Sequence, residues 1–367
     1  MHKVIGLMSG TSLDGIDVAL LETDGSRIGS FGPARTRPYA PELSAQLRAV
    51  LARARDLAEG APLPQMLVEV ERALTDAHAD AVDELLTEAG LRPGEIFLLG
   101  FHGQTVLHRP HQGWTLQLGD GARLARITGI DVVNDFRTAD VRAGGQGAPL
   151  VPLYHAALVA AASDLPRPVA VVNIGGVANV TWVGQDEILA FDTGPGNAPL
   201  DDWALRHTGR PIDEDARLAR SGRVDDAVLY AMLAHPYFAR KPPKSLDRMD
   251  FGVKAVDHLE VADGSATLTA FTAATIARAR EHFPQEAQLW VVCGGGRHNP
   301  ALMAELGQRL EAPVVAAEAL GWRGDFLEAE AFAFLAARAE RGLPLSLPST
   351  TGVSEPMSGG RLHRASR

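Results

Sequence analysis

The feature that most constrains this chain is a pattern that occurs twice. Val4–Leu20 and Val169–Trp182 each read as apolar strand, glycine-bearing turn with small polar residues, apolar strand, about 165 residues apart. A strand pair needs further strands or helices to bury its faces. Two copies therefore predict a duplicated α/β fold, each half opened by its own copy, with ligands taken in a cleft. Two buried hairpins that only look alike are the alternative. At 367 residues the chain also exceeds the comfortable size of one hydrophobic core, which by itself predicts two domains. The boundaries are expected at 1–130 plus about 341–367 for the first lobe and 131–340 for the second.

The rest of the chain fits that scheme. Helical patterns with apolar residues three and four apart run over Glu42–Leu57 and Pro64–Ala89. Strands are expected over Ile96–Leu99 and Asp131–Val133, then Pro168–Ile174, Val177–Val183, Ile188–Phe191 and Gln288–Val292. Helices are expected over Asn197–His207, Asp213–Ala219, Val224–Ala234, Ala266–His282, Asn299–Leu310 and Asp325–Glu340. The tail past Leu343, rich in Pro, Ser, Thr and Gly, reads as extended or frayed.

Composition narrows function. A net charge of −10 argues against nucleic-acid partners, which need a basic stripe. Cys293 is the single cysteine, so there is no internal disulfide and no Cys-pair zinc site; it reads as a small core residue in a reducing compartment. No run approaches the roughly 18 apolar residues of a membrane span, and the opening apolar stretch is too short for a signal peptide. A cytoplasmic protein without membrane partners is the expectation. Asn179-Val180-Thr181 matches a glycosylation sequon but lies inside a strand pattern. Gly-Lys never occurs, which removes the Walker A loop, and no trusted metal spacing of histidines is present.

The strongest positive signal is Met8-Ser9-Gly10-Thr11-Ser12-Leu13-Asp14-Gly15-Ile16-Asp17 between two buried strands. Glycines let successive N–H groups point at one spot, and Thr11 and Ser12 add hydroxyl donors, which suits a phosphate cradle. Asp14 or Asp17 can hold magnesium through water. The competing reading is an ordinary polar turn. Phe191-Asp192-Thr193-Gly194-Pro195-Gly196-Asn197 places an aspartate at a strand end before a Gly-rich turn, where it either acts as a general base or caps the turn. Asn173-Ile174-Gly175-Gly176 ends its strand as the first loop does. Cys293-Gly294-Gly295-Gly296-Arg297-His298-Asn299 sets glycines between strand and helix, open to a flat ring or simply a tight turn. His102-Gly103-Gln104-Thr105 and Asn134-Asp135-Phe136-Arg137, running on to Gly144–Pro149, carry the amides, Arg and His that a sugar pocket needs. His102 can instead satisfy a buried backbone group. Asp325 reads as the N-cap of the last helix with Glu328 as capping-box partner, which competes with a functional role for Glu328.

Taken in order, these motifs resemble the anhydro-N-acetylmuramic acid kinases, over residues 4 to about 352. The resemblance implies a two-lobed sugar kinase/actin/Hsp70-like fold with an interlobe active-site cleft, ATP and Mg²⁺ as cofactors, and a cytoplasmic homodimer. It implies that water opens the 1,6-anhydro bridge of the sugar while O6 takes the γ-phosphoryl group. On this basis Asp192 is the catalytic base. Gly10, Thr11, Ser12, Leu13, Asp14, Gly15, Ile16 and Asp17 form the ATP phosphate loop, joined by Gly175, Gly176, Gly294, Gly295, Gly296 and Asn299. His102, Gln104, Asp135, Arg137, Gly147, Asn173 and Glu328 meet the substrate, and Asp192 and Glu328 are the metal carboxylates. In Lys241–Phe251 the chain departs from the family pattern, with Asp247 and Met249 where Gly and Glu are usual. Rival readings are a kinase of another anhydro-sugar such as levoglucosan, and a non-catalytic ATP-binding regulator or chaperone-like protein.

Overall fold

The computed structural model describes residues 1–10, 13–54, 56–246 and 248–366, with Met249 described by its backbone alone. The chain divides into two compact units: Met1–Ala161 with Phe326–Arg367, and Ala162–Asp325. These bounds differ from those expected at 130 and 340. Residues 131–161 and 326–340 join the first unit through pairings that sequence proximity does not reveal.

The first unit is built on one sheet. Strands β1 (His2–Ser9), β2 (Gly15–Thr23) and β3 (Ile28–Pro38) form an antiparallel meander, and β4 (Leu98–Arg109) lies parallel to β1. Strand β5 (Trp114–Leu118) turns back on the far half of β4, and β6 (Val132–Asn134) runs parallel to its near half. The last strand, Arg361–His363, pairs antiparallel with β6. Alternation along β1 and β4 sends Ile5, Leu7, Leu99 and Phe101 into a core with helices Pro41–Ala54 and Gln65–Ala89.

Helix Leu327–Glu340 packs on the opposite face, against β1, β2 and β4. Two glycines that face each other across β1 and β4, Gly6 and Gly100, make this possible. A Cβ on Gly6 would sit 1.7 Å from the Ala329 carbonyl oxygen, and one on Gly100 would sit 2.1 Å from that of Phe332. The helix backbone rests on the sheet where side chains are missing.

The second unit repeats the opening topology. Strands β7 (Val169–Ile174), β8 (Val177–Val183) and β9 (Ile188–Pro195) form an antiparallel meander, followed by parallel β10 (Leu289–Cys293) and β11 (Val314–Ala316). Ala170, Val172, Val180, Phe191 and Trp290 face helices Val261–Ala277 and Pro300–Arg309. The α/β class expected from sequence is present in both units, and so is the strand–turn–strand that opens each.

Several elements differ from expectation. Strand β4 continues through His102–Thr105, beyond the strand expected to end at Leu99, and β9 continues through Asp192–Pro195. Asp192 therefore sits inside a strand rather than capping a turn. The last helix begins at Leu327 with Phe326 as an N-cap that makes no side-chain hydrogen bond; Asp325 pairs with Arg297 instead, so the capping box does not form. The tail is ordered by a short helix, Pro348–Thr351, and by its strand on β6. Strands β3, β5 and β11 and helix Pro152–Ala161 have no counterpart in the sequence reading.

Candidate functional site

The site residues fall into one group in each unit. In the first unit the β1–β2 connection runs from Gly10 to Asp14; Thr11 and Ser12 lie outside the described residues. Leu13 adopts φ 58°, its carbonyl accepts the Ser44 hydroxyl at 3.0 Å, and the Asp14 carbonyl accepts the Tyr39 N–H at 3.1 Å. Leu13 and Ile16 are buried in the core. A Cβ on Gly15 would stand 2.5 Å from the Arg37 carbonyl, so packing alone demands glycine there. That leaves Gly10, Asp14 and Asp17 as the polar, partly open members, with Asp17 accepting the Thr36 hydroxyl at 2.5 Å.

Strand β4 supplies the neighbouring groups. Gln104 pairs with Ser9 across β1 and β4, and its buried Oε1 has no partner among the described residues. Buried acceptors are nearly always satisfied, so this one is an unfilled place for a donor. His102 Nδ1–H donates to its neighbour, the Gly103 carbonyl, at 2.7 Å, and its Nε2 accepts from the Arg137 guanidinium at 3.0–3.1 Å. Burial, reinforced by the Arg137 charge, keeps this imidazole neutral. Arg137 also donates to the Gly147 carbonyl at 2.6 Å, so His102, Arg137 and Gly147 form one chain of hydrogen bonds. Glu328, half-buried at the start of the last helix, has its carboxyl pushed up by burial and by Asp17 and pulled down by Arg137. Asp135 stands at φ 55° and lines, with His102, Asn134 and Glu71, a cavity of about 330 Å³.

What the sequence reading missed here is the anchor. Asp140, 2% exposed, accepts the Gly147 N–H at 2.6 Å together with the hydroxyls of Ser346 and Thr351. It ties the Gly144–Pro149 loop to the returning C-terminal segment, 200 residues away in sequence, and no local pattern signals such a contact.

In the second unit three motifs converge. The β7–β8 turn is clamped from the strand–helix junction: Gly196 N–H donates to the Gly176 carbonyl at 3.0 Å and Asn197 N–H to Gly175 at 2.7 Å. The Asn197 side chain adds a bond to the Ile174 carbonyl at 3.2 Å. Gly294, at φ 72°, passes so near β7 that a Cβ would lie 2.3 Å from the Asn173 amide oxygen. Gly175 and Gly295 are different. A Cβ would meet nothing nearer than 3.7 Å at Gly175 and 3.4 Å at Gly295. Glycine at these two places leaves room that the chain itself does not use, the property a nucleotide's phosphates and ring require. Asn299 is spent on its own helix, its side chain accepting from Leu302 N–H at 3.0 Å.

Below the glycine loop, Arg297 is nearly sealed, with only 2% of its side chain exposed. It pairs with Glu318 at 2.8 Å and Asp325 at 2.7 Å and donates to the Gly294 carbonyl at 2.9 Å. Burial opposes its charge, and the two carboxylates outweigh burial and hold it protonated.

Asn173, Asn179 and Asp192 are successive cross-strand partners on β7, β8 and β9, on the face away from the helices. Asp192 is 7% exposed; its Oδ2 accepts the Leu246 N–H at 2.8 Å, and its carbonyl accepts the Tyr237 hydroxyl at 2.6 Å. A mostly buried carboxylate with one oxygen fixed by a backbone donor is aimed rather than free to rotate. Asn179 Oδ1 is buried without a partner among the described residues; the sequence signal was a polar residue in an apolar strand, which presented itself only as a sequon. Cys293 is buried in the core, as expected. Among the described residues no group of three or more His, Cys, Asp or Glu side chains is placed to hold a metal ion, and no helix is long and apolar enough to cross a membrane.

Comparison with known proteins gives one consistent outcome. Residues 2–365 match the family model described as Anhydro-N-acetylmuramic acid kinase. The chain is 53% identical over 369 residues to the anhydro-N-acetylmuramic acid kinase of Methylobacterium nodulans, covering 98% of each chain. It is 53% identical to the enzyme of the same name from Rhodospirillum rubrum, covering 97% of this chain and 92% of that one. A third, from Paramagnetospirillum magneticum, is also 53% identical, covering 98% and 99%. With matched residues running almost end to end and all six motifs inside them, the chain belongs to the anhydro-N-acetylmuramic acid kinase family.

Proposed function

We propose that this chain is the ATP-dependent kinase that opens 1,6-anhydro-N-acetylmuramic acid with water and phosphorylates O6, giving N-acetylmuramic acid 6-phosphate and ADP. The observation that carries the reading is the buried, oriented Asp192 carboxylate, held by Leu246 N–H beside the clamped Gly175–Gly176 turn. In this reading Asp192 takes a proton from the attacking water, the water oxygen bonds to the anomeric carbon, and the C1–O6 bond breaks. O6 then attacks the γ-phosphorus and ADP leaves. Phosphoryl transfer asks the protein mostly for positioning and charge stabilisation, which backbone donors supply. The open space over Gly175 and Gly295 supports placing the nucleotide there. Gly10, Asp14 and Asp17 are the first unit's own candidates for a phosphate and its magnesium, and His102, Arg137, Gln104 and Asp135 for the sugar, where the unfilled Gln104 Oε1 suits a hydroxyl or amide donor. Asn173, on the row with Asp192, and Gly147, whose carbonyl holds Arg137, support substrate binding from their own units. Asp192, Glu328 and Asp17 are the carboxylates from which the one or two that Mg²⁺ needs would come, and the ion would offset phosphate charge. A cytoplasmic homodimer completes the reading.

The test is ADP release with 1,6-anhydro-N-acetylmuramic acid and, in parallel, levoglucosan, with the mass of the product. A phosphorylated product one water heavier than simple phosphorylation of the muramic substrate is expected. Turnover of levoglucosan alone overturns the substrate, and no ADP release with either overturns the function.

A further inference from the structure

The segment Lys244–Leu246 lies against the catalytic candidate, while Asp247 lies outside the described residues. Strand β9 is the edge of its sheet. The Asp192 N–H, which would otherwise be an open edge donor, bonds to the Lys244 carbonyl at 3.0 Å, and two residues on the Leu246 N–H reaches Asp192 Oδ2. Just past it the chain reaches the β7–β8 turn: Arg248 pairs with Asp202 at 2.9 Å and its Cδ would stand 3.7 Å from a Cβ on Gly176.

What seats this segment is a lysine. Lys244 is one of only four lysines in the sequence and is 8% exposed. Its ammonium lies 4.8 Å from the Tyr237 ring centroid and 5.6 Å from that of Phe191. Both rings belong to the Asp192 framework: Phe191 precedes it on β9, and the Tyr237 hydroxyl holds its carbonyl. A desolvated ammonium over two aromatic faces is a cation–π seat of the stronger kind. Burial, with the charges of Arg278 and Arg240 opposed by Glu281, lowers this lysine to about 8, so it keeps its charge at neutral pH; His282 meets Phe191 edge-on and is itself held low by burial and by Lys244.

We propose that Lys244 is a positioning residue for Asp192: seated on Phe191 and Tyr237, it fixes the backbone that presents the Leu246 N–H to the carboxylate. This rests on Asp192 being the base. The N–H fixes the direction in which the carboxylate points, so losing it misaligns the base. The turnover step suffers and substrate binding does not.

The test compares Lys244→Met and Lys244→Arg with wild type and with Asp192→Asn, all checked for folding by circular dichroism and thermal melting. Lys244→Met is expected to lower kcat about tenfold or more, the scale of one charge-assisted hydrogen bond. KM for ATP and sugar should stay within about twofold. Lys244→Arg, which keeps a cation for the rings, restores most of kcat. If Lys244→Met fails to fold, Lys244→Gln takes its place in the same comparison. Unchanged kcat in the folded Met variant overturns the proposal, as does an equal loss in the Met and Arg variants. An active Asp192→Asn overturns the base itself, a result separate from either.

Discussion

The two units open alike and close differently. Each begins with an antiparallel meander followed by parallel strands, but the first connection of each is handled in opposite ways. In the second unit the β7–β8 turn is bound through its own carbonyls to Gly196 and Asn197, a rigid junction made of backbone. In the first unit the Gly10–Asp14 connection is held at its C-terminal end by Ser44 and Tyr39, and the polar groups around it are held by side chains: Arg137 on His102, Asp140 on Gly147. A backbone-bound site tolerates substitution poorly wherever a Cβ intrudes, while a side-chain-bound site is sensitive to charge and pH.

The largest effect sharpens this contrast. Asp192→Asn is expected to leave the protein folded and ATP-binding while turnover falls by about 10³-fold or more, read as ADP release; near-normal turnover in a folded variant would remove the base from the second unit.

Acid should act on the first unit. His78, His102 and His155 are all buried and held below the ordinary histidine value, His78 at about 4 and His155 at about 3, each chiefly by burial. The unfolded chain binds protons that the folded one refuses. Their contribution is therefore intact above about pH 6.5 and is lost as pH falls toward the folded values, by roughly 1.4 kcal/mol per pH unit for each histidine. Denaturant melts at pH 7 and pH 5 should show the first unit weakening more; an equal loss in both breaks the comparison.

Smaller effects separate packing glycines from open ones. Gly196→Ala brings a Cβ to 2.2 Å from the Gly175 carbonyl and should cost about 2–3 kcal/mol in denaturant melts. Asp140→Asn turns an acceptor of three donors into a partial donor and should cost about 2 kcal/mol. Gly295→Ala should move stability by less than about 0.5 kcal/mol and weaken nucleotide binding instead, measured by calorimetry with a non-hydrolysable ATP analogue. A stability loss there equal to that of Gly196→Ala would mean the glycine loop is packing and not a binding surface.

The sequence made the repeat legible because β1 and β7 are apolar runs that each meet glycine before a second, largely apolar strand, and it made the motifs legible because glycine clusters at strand ends have few other uses. It hid β3, whose residues are mostly half-exposed or exposed, and the terminal strand, which forms only because β6 presents an edge. It misplaced the unit boundary because helix Leu327–Glu340 belongs to β1 by way of Gly6 and Gly100, contacts over 200 residues long. Asp325 reads as a cap because its pairing with Arg297, 28 residues earlier, leaves no local pattern.

The Gly6–Gly100 seat has a consequence for how the molecule comes into being. The bare stripe on β1 and β4 has its partner only in residues made last, so during synthesis the first unit waits, half its sheet uncovered, while the second, Ala162–Asp325, emerges whole. The part of the chain that is born first is finished last.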